Sequence, residues 1–339
     1  MRKGSRRKVL AALAAAALLG GLGAFAACGE TGAASSGGSD GTSAPGSQSA
    51  GEYAVEFVAR GLIVATERCA SDLSGAGFCD VGAAAEVSCS VFAGYDFLGW
   101  YEGETLVSGE RTFSYTMPDR EVTLEARTRV SEEMRNFRFT SSAAGCTISG
   151  VVDATAKEIS VPAYASVKDG AFAGCDSLES LTLPSMEAED FLGRYFGAEN
   201  YVLNEEDIPQ SLKSVEITGG EEVAEYAFYV CLSLERIAVA ESVKKISEAA
   251  FYGCAALKSI AIPESVEKIG LYAFRGTSLE SAAIRGEGSW QYSDTDSGTP
   301  EVSGVIPAEE LSDPAAAAKS LSQTYAGFYL LRKTASPDV

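Results

Sequence analysis

A unit of 23 residues recurs in the second half of the chain and restricts its fold more than any other feature. Ala-Phe pairs end at Phe228, Phe251 and Phe274, and an earlier pair ends at Phe172. An aliphatic residue precedes each Phe by five positions, and a leucine followed by a strand-like alternation comes after it. So short a unit cannot bury its apolar face alone, whereas stacked copies bury a continuous core. The period therefore predicts a mainly β solenoid with parallel strands about 4.8 Å apart.

The strand segments of the repeats read LESLTLP, LERIAVA, LKSIAIP and LESAAIR. Side chains alternate between the two faces of a strand, so the aliphatic positions are predicted to point inward. The positions between them form an outward face, which is the candidate binding surface: Ser180, Thr182, Ser214, Glu216, Arg236, Ala238, Ser259, Ala261, Ser281 and Ala283. These side chains are small and mostly uncharged, and only Arg236 is a residue type enriched at binding hot spots.

A cysteine follows three of the four phenylalanines by three positions. A metal or redox site would not require this fixed spacing from Phe. Their fixed phase with Phe indicates thiols that stack inside the coils, where a buried Cys behaves as a small apolar residue. The predicted repeat core is Phe172, Cys175, Phe228, Cys231, Phe251, Cys254 and Phe274. No metal ion or other cofactor is predicted, and Cys146 has no assigned role.

The segment 243–274, VKKISEAAFYGCAALKSIAIPESVEKIGLYAF, resembles the BspA-like leucine-rich repeats of bacterial surface proteins. The unit of that family reads roughly IGxxAFxGCxxLxxIxIPxSVxx, and the resemblance extends over about residues 137–332. It implies a leucine-rich-repeat solenoid, assigned here to residues 135–285. The 56 residues between Phe172 and Phe228 are interpreted as one repeat with an enlarged return loop, which gives five strands in the sheet.

Both ends of a solenoid need covering. Phe137–Phe139 and Thr147–Val151 are predicted to form the N-terminal cap. Residues 286–339 form the C-terminal cap, in which Asp313-Pro314 is a favourable helix start. A helix over Ala315–Ala326 is expected to cover the last coil, with Trp290 in a loop beneath it.

Residues 52–130 are predicted to be a small all-β module. Strands are expected at Tyr53–Ala59, Glu86–Phe92, Arg111–Met117 and Glu121–Val130. The segments GYDFLGWY at 94–101, YTMP at 115–118 and VTL at 122–124 resemble InlB B-repeat-like bacterial modules, which serve as spacers or contact domains. Trp100 is interpreted as a core residue rather than a ligand-stacking ring. One disulfide is expected among Cys69, Cys79 and Cys89, with the pairing open.

The N-terminus is interpreted as a targeting segment. Residues 1–27 join a basic start to an apolar run ending Phe25-Ala26-Ala27-Cys28, which resembles a lipoprotein signal with Cys28 as the lipid attachment site. Ser5–Leu10 also resembles a twin-arginine signal, so secretory and twin-arginine export both stay open. Residues 28–51, rich in Gly and Ser, are predicted to be a disordered linker. The chain is thus expected to be exported and to face the cell exterior, anchored to the membrane by lipid on Cys28.

Composition disfavours enzyme chemistry and nucleic-acid binding. The chain has no histidine, and its 47 acidic against 27 basic residues give a formal net charge of −20. Such a body repels phosphate backbones, and no phosphate loop, nucleophile elbow or zinc-protease motif occurs. The predicted function is a non-catalytic surface protein that binds an unidentified protein or glycan on a host or neighbouring cell. The alternative is a structural or assembly component of the cell envelope. The ligand, the oligomeric state and the number of membranes are left open.

Overall fold

The structure is a computed structural model that describes residues 59–66, 70–187, 189–295 and 302–333. The predicted signal peptide, Cys28, the linker and Cys69 lie outside the described residues, as does most of the strand expected at Tyr53–Ala59. The strands of the N-terminal module are β1 (Ala59–Thr66), β2 (Ala70–Ser74), β3 (Gly77–Asp80), β4 (Ala84–Val91), β5 (Tyr95–Glu102), β6 (Thr105–Ser108), β7 (Thr112–Thr116) and β8 (Val122–Val130).

Two sheets build this module, in the orders β3-β1-β8-β5-β6 and β2-β4-β7. Three of the predicted strands match β4, β7 and β8 to within two residues at each end. Trp100 is fully buried, as predicted, and its Nε1 donates a hydrogen bond to the carbonyl of Arg111 at 3.2 Å. The thiols of Cys79 and Cys89 are both free, so these two cysteines are not joined by a disulfide.

The solenoid begins at a hairpin of β9 (Phe137–Ser142) and β10 (Gly145–Val151), which is the predicted N-terminal cap. The hairpin also contacts the N-terminal module through a hydrogen bond, which the Ser141 hydroxyl donates to the Ala93 carbonyl at 2.6 Å. The strands that follow are β11 (Glu158–Ser160), β12 (Ala165–Val167), β13 (Ser180–Leu183), β14 (Ser214–Ile217), β15 (Glu222–Val223), β16 (Arg236–Ala238), β17 (Lys245–Ile246), β18 (Ser259–Ile262), β19 (Lys268–Ile269) and β20 (Ser281–Ile284).

Two series of parallel strands run along the coils. The first consists of β11-β13-β14-β16 and then β18-β20, without ladder pairing between β16 and β18. The described residues thus hold six strands in this series, where the sequence predicted five. The missed strand is β11, whose coil begins at the cap hairpin and has no Ala-Phe pair before it. The second series joins β15, β17 and β19 in parallel.

The long interval between Phe172 and Phe228 contains one additional coil, which has an enlarged return loop, as predicted. A 3₁₀ helix at Leu192–Phe196 takes the place of the Ala-Phe turn, since the Phe172 amide donates to the Tyr195 carbonyl at 2.8 Å. The return loop carries a second 3₁₀ helix at Tyr201–Leu203, followed by α1 (Asn204–Asp207). The loop then enters β14, which pairs in parallel with β13.

The C-terminal cap differs from the expected single helix. It contains β21 (Ser289–Ser293), β22 (Val302–Ile306), α2 (Ala308–Ser312), α3 (Pro314–Lys319), a π turn at Ser320–Thr324 and β23 (Tyr329–Lys333). Asp313 caps α3 as predicted, its carboxylate accepting from the Ala316 amide at 2.8 Å, and the helical segment continues from α3 through the π turn to Thr324, two residues short of the predicted end at Ala326. Trp290 lies in strand β21, not in a loop, and is buried.

Strand β23 closes the second series of strands. It runs antiparallel to both β19 and β21, so the last parallel edge is covered by a strand of the cap. Helix α3 packs against β20, the last strand of the first series. Covering both edges removes the exposed N–H and C=O groups that would otherwise pair with other chains. None of the helices in the described residues is long and apolar enough to cross a membrane.

Candidate interaction surface

The register of the parallel strands sorts their side chains into an inward and an outward set. Leu181, Val215 and Ile237 are paired in successive strands, and each is at most 4% exposed. The residues on either side of them in each strand therefore point outward, because neighbours in a strand alternate between faces. The fold thus orders the small polar positions into columns across the coils.

All ten residues predicted for the outward face lie half-buried or exposed on these strands. Ser180 pairs with Ser214 and Ser214 with Arg236, and farther along Ser259 pairs with Ser281. The second column consists of Thr182, Glu216 and Ala238, and then Ala261 and Ala283. Strand β11 extends the columns by Glu158 and Ser160, which the sequence analysis missed together with the strand.

A groove of about 580 Å³ lies over the outward face at its C-terminal half. Ala238, Ala261 and Ala283 help to line it, and their small side chains account for its depth. Arg236 and Arg285 also line the groove. Arg285 pairs with Glu241 at 2.6 Å, whereas Arg236 forms no ion pair within the described part of the chain. The groove thus contains the Arg236 guanidinium, which has no ion pair among the described residues, on a protein of strong net negative charge.

A larger groove, of about 790 Å³, lies at the N-terminal end of the same face. Ser160, Ser180 and Thr182 line one part of it, and the 3₁₀ helix at Glu132–Met134 contributes Glu132 and Glu133. Glu158 adds a third carboxylate to the lining. The outward face is therefore acidic at one end and carries arginines toward the other.

The predicted repeat core occupies the interior of the coils. Its seven residues are each at most 3% exposed. Phe228, Phe251 and Phe274 stack on one another with ring centroids 5.3 and 5.2 Å apart and nearly parallel planes. A side chain so enclosed can contribute to the stability of the solenoid but cannot touch a partner.

Two cysteines of the core, Cys175 and Cys231, have raised pKa values. Burial raises the pKa of Cys175 and of Cys231, and the neighbouring thiol of Cys254 raises that of Cys231 further. The Cys254 thiol donates to the carbonyl of Phe228 at 3.0 Å. Since the thiolate is the reactive form, the raised pKa makes Cys175 and Cys231 poor nucleophiles. Cys146, unassigned from sequence, is another buried thiol of raised pKa, located in β10.

Four tyrosines form a surface patch that the sequence analysis did not identify. The rings of Tyr201 and Tyr226 stack at 4.2 Å, those of Tyr229 and Tyr252 stack at 5.1 Å, and the Tyr226 and Tyr229 rings meet edge-on at 5.8 Å. All four residues are half-buried. Tyr229 and Tyr252 are one period apart, a signal visible in the sequence, but Tyr201 reaches the group only through the fold of the return loop. We call these four residues the tyrosine patch.

Buried Asn204 fixes the return loop against the coil that carries the patch. Its Oδ1 accepts a hydrogen bond from the Gly193 amide at 2.9 Å, and its Nδ2 donates to the Tyr229 carbonyl at 2.8 Å. A Cβ on Gly193 would lie 2.4 Å from the Asn204 Oδ1, so this position needs glycine. Asn204 therefore helps to place Tyr201 beside the rings of the repeats.

Metal coordination has no support in the described ranges, where no group of three or more Cys, Asp or Glu side chains is arranged to hold an ion. The Asp294-Thr295-Asp296 segment is described only as far as Thr295. The outward strand face and the tyrosine patch are both surfaces that a partner could contact.

Coils stacked through parallel strands around a core of aliphatic, Phe and Cys residues define a leucine-rich-repeat solenoid. The family model of the BspA type leucine-rich repeat region matches residues 153–218 and 208–291 in six copies. The matched residues are the coils themselves, so these coils are leucine-rich repeats of the BspA type. A comparison with curated proteins found no match.

Solved structures similar to part of this chain are also leucine-rich repeat proteins. One, from Bacteroides ovatus, is 32% identical over 38% of this chain and 31% of its own, with a TM-score of 0.28. One from T. pallidum is 24% identical over 44% of this chain and 69% of its own, with a TM-score of 0.29. A leucine rich cell surface protein from Faecalibacterium prausnitzii is 21% identical over 51% and 60%, with a TM-score of 0.30. The matched region spans about a third of the Bacteroides ovatus protein.

Proposed function

We propose that this chain is a non-catalytic recognition protein, displayed outside the cell on a lipid anchor, that binds a protein partner through the outward strand face. The observation that carries the proposal is the groove over Ala238, Ala261 and Ala283, bordered by the uncommitted Arg236. Where the floor of the groove is the β18–β20 ladder, the backbone groups satisfy one another, so a partner can approach that part of the face without breaking hydrogen bonds. Small side chains keep the floor of the groove open.

The charge distribution supports a protein partner with an acidic contact. A desolvated carboxylate can pair bidentately with the planar guanidinium of Arg236. The net charge of −20 disfavours polyanions as a class, since they would be repelled by the body as a whole. A single acidic side chain on the partner suits a groove lined by small side chains in which one of the two guanidiniums, that of Arg236, has no ion pair among the described residues.

Display at the cell surface rests on the N-terminal sequence and on the module at residues 52–130. The lipobox-like Ala26-Ala27-Cys28 provides an attachment site, and the Gly- and Ser-rich linker provides reach. The resemblance of the module to InlB B-repeats suits a spacer that carries the solenoid away from the membrane. The family type of the repeats is in keeping with this placement.

Filling the groove tests the proposed binding face. Beads that carry the full chain are incubated with candidate host and bacterial cells, and adhering beads are counted. Ala261→Arg should reduce adhesion by about tenfold or more, because a long charged side chain occupies the centre of the interface. Ala255→Arg, which adds the same charge at an exposed turn position, is the control and should adhere like the unmodified chain. Equal adhesion of both variants would overturn the assignment of the face.

The anchor is tested separately by metabolic labelling with radioactive palmitate. We expect label in the unmodified chain and none in Cys28→Ser, because the thiol is the predicted attachment atom. A serine variant labelled as strongly as the unmodified chain would disprove the lipid anchor and leave the binding face untouched.

A further inference from the structure

The tyrosine patch has a composition that the outward strand face lacks. Tyr is enriched at binding hot spots because its ring offers a large contact area at low entropic cost. The four rings form a continuous half-exposed surface across successive turns of the solenoid and its return loop. The patch lies on the turns that precede the strands, so binding there does not require the outward strand face.

Carboxylates surround the patch without cations to balance them. Glu225 precedes Tyr226 in the chain, and the Tyr226 amide donates to the Glu248 carbonyl at 3.0 Å. Burial raises the pKa of Tyr226, and the carboxylates of Glu248 and Glu225 raise it further. Helix α1 follows Tyr201–Leu203 directly and adds the exposed Glu205, Glu206 and Asp207. Within the described residues, none of these five carboxylates forms an ion pair with a Lys or Arg.

Five carboxylates elsewhere on the solenoid are paired with lysines from coil to coil. Glu179, Glu221, Glu222, Glu235 and Glu280 each contact a lysine about one period away, namely Lys157, Lys244, Lys245, Lys213 and Lys258 respectively. The repeats therefore have a regular means of balancing their acids, and the patch departs from it. The net result is a negative potential beside exposed aromatic faces, which attracts cations.

The last coil shows how a cation fits at this position. Tyr272 and Arg275 stand two periods after Tyr226 and Tyr229, and the Arg275 guanidinium carbon lies 5.2 Å from the centroid of the Tyr272 ring. In the last coil, an arginine of the chain itself therefore packs over Tyr272, the tyrosine equivalent to Tyr226. At the patch the equivalent position is Tyr229, whose ring meets the Tyr226 ring edge-on at 5.8 Å, so the chain supplies no arginine of its own there and a partner would have to provide one.

We propose that the tyrosine patch binds a basic segment of a partner protein, with an arginine stacked on Tyr226 and paired with Glu225 or Glu248. Arginine suits the site better than lysine, because its planar group stacks on a ring and pairs with a carboxylate at the same time. The return loop belongs to the site through Tyr201.

Binding of a labelled arginine-rich peptide to the full chain in mild detergent tests the proposal, with fluorescence polarisation measured at physiological salt. The double variant Tyr226→Ser, Tyr229→Ser should bind about tenfold more weakly without any change in net charge. Glu225→Gln with Glu248→Gln should have a similar effect. Glu235→Gln with Glu280→Gln removes the same charge elsewhere and should change the affinity less than about twofold. A lysine peptide of equal charge should bind more weakly than the arginine peptide.

Several results would overturn the proposal. Equal losses for the two carboxylate pairs would mean that the peptide senses only net charge. Unchanged binding by the tyrosine variant would exclude stacking, and displacement of the peptide by a neutral oligosaccharide would assign the patch to glycans. If the tyrosine variant fails to fold, Tyr226→Phe and Tyr229→Phe keep the rings, and the two carboxylate pairs still decide the question. None of these measurements depends on the outward strand face.

Discussion

Val230 departs from the conformation that the repeat imposes at its position. The equivalent residues are Gly174, Gly253 and Gly276, with φ values of 81°, 71° and 79°, and Val230 adopts φ 54° in the same turn. A left-handed conformation is unfavourable for a side chain branched at Cβ. The coil keeps Val230 there because its amide donates to the Tyr252 carbonyl at 2.7 Å, one of the hydrogen bonds between successive turns.

Replacement of Val230 by glycine should therefore stabilise the protein. Relief of the left-handed strain outweighs the entropy that glycine loses on folding, for a net gain of about 1 kcal/mol. The urea midpoint should rise without a change in slope. The reverse exchange, Gly253→Val, should lower the midpoint, since a Cβ there lies 3.2 Å from Cγ2 of Val230. A lower midpoint for Val230→Gly would show that packing of the valine matters more than its backbone strain.

At the scale of single elements, the return loop depends on Asn204. Asn204→Ala leaves the buried Gly193 amide and the Tyr229 carbonyl without their partner, which should lower the free energy of unfolding by about 2–4 kcal/mol. Thermal unfolding measures the loss. Asn200→Ala is the matched control, because exposed Asn200 only caps a 3₁₀ helix, and it should cost about 1 kcal/mol or less. Equal losses for the two alanine variants would contradict the anchoring role of Asn204.

The sequence predicts the coils and the N-terminal hairpin well and the strands of the C-terminal cap poorly, for a physical reason. In the coils one sequence pattern repeats. The same buried position is therefore recognisable three times, at Phe228, Phe251 and Phe274. Each cap occurs only once in the chain, so its sequence has no repeat with which it can be compared, and its structure depends on tertiary contacts. Strand β23 forms because it can pair with the edges of β19 and β21. Taken alone, the sequence of Tyr329–Lys333 looks like the continuation of an apolar helix face.

The surfaces follow the same rule. The outward face can be derived from strand alternation, since every second residue shares a side. The tyrosine patch cannot, because Tyr201 belongs to the nonrepeating return loop and its approach to Tyr226 depends on how that loop folds. Strand β11 was missed because Glu158–Ser160 lacks the preceding Ala-Phe signal.

For the whole molecule, the C-terminal cap should control both stability and self-association. A chain that ends at Phe328 lacks β23 and exposes the edge of β19, which is a template for pairing with another copy. We expect this chain to form dimers or larger species by size exclusion with light scattering. A chain that ends at Lys333 retains β23 and should elute as the full chain does. Identical elution of the two truncated chains would show that β23 does not protect the edge.

The central claim is that the outward face of the parallel strands is the surface that meets the partner. Its most direct test is a photo-crosslinking amino acid placed in the full chain at position 261 or 283 on the face, or at position 255 on a turn, with irradiation on partner cells to which the chain adheres. The account predicts one crosslinked product common to positions 261 and 283 and none from position 255. A product from position 255 alone, with none from the two face positions, would contradict it.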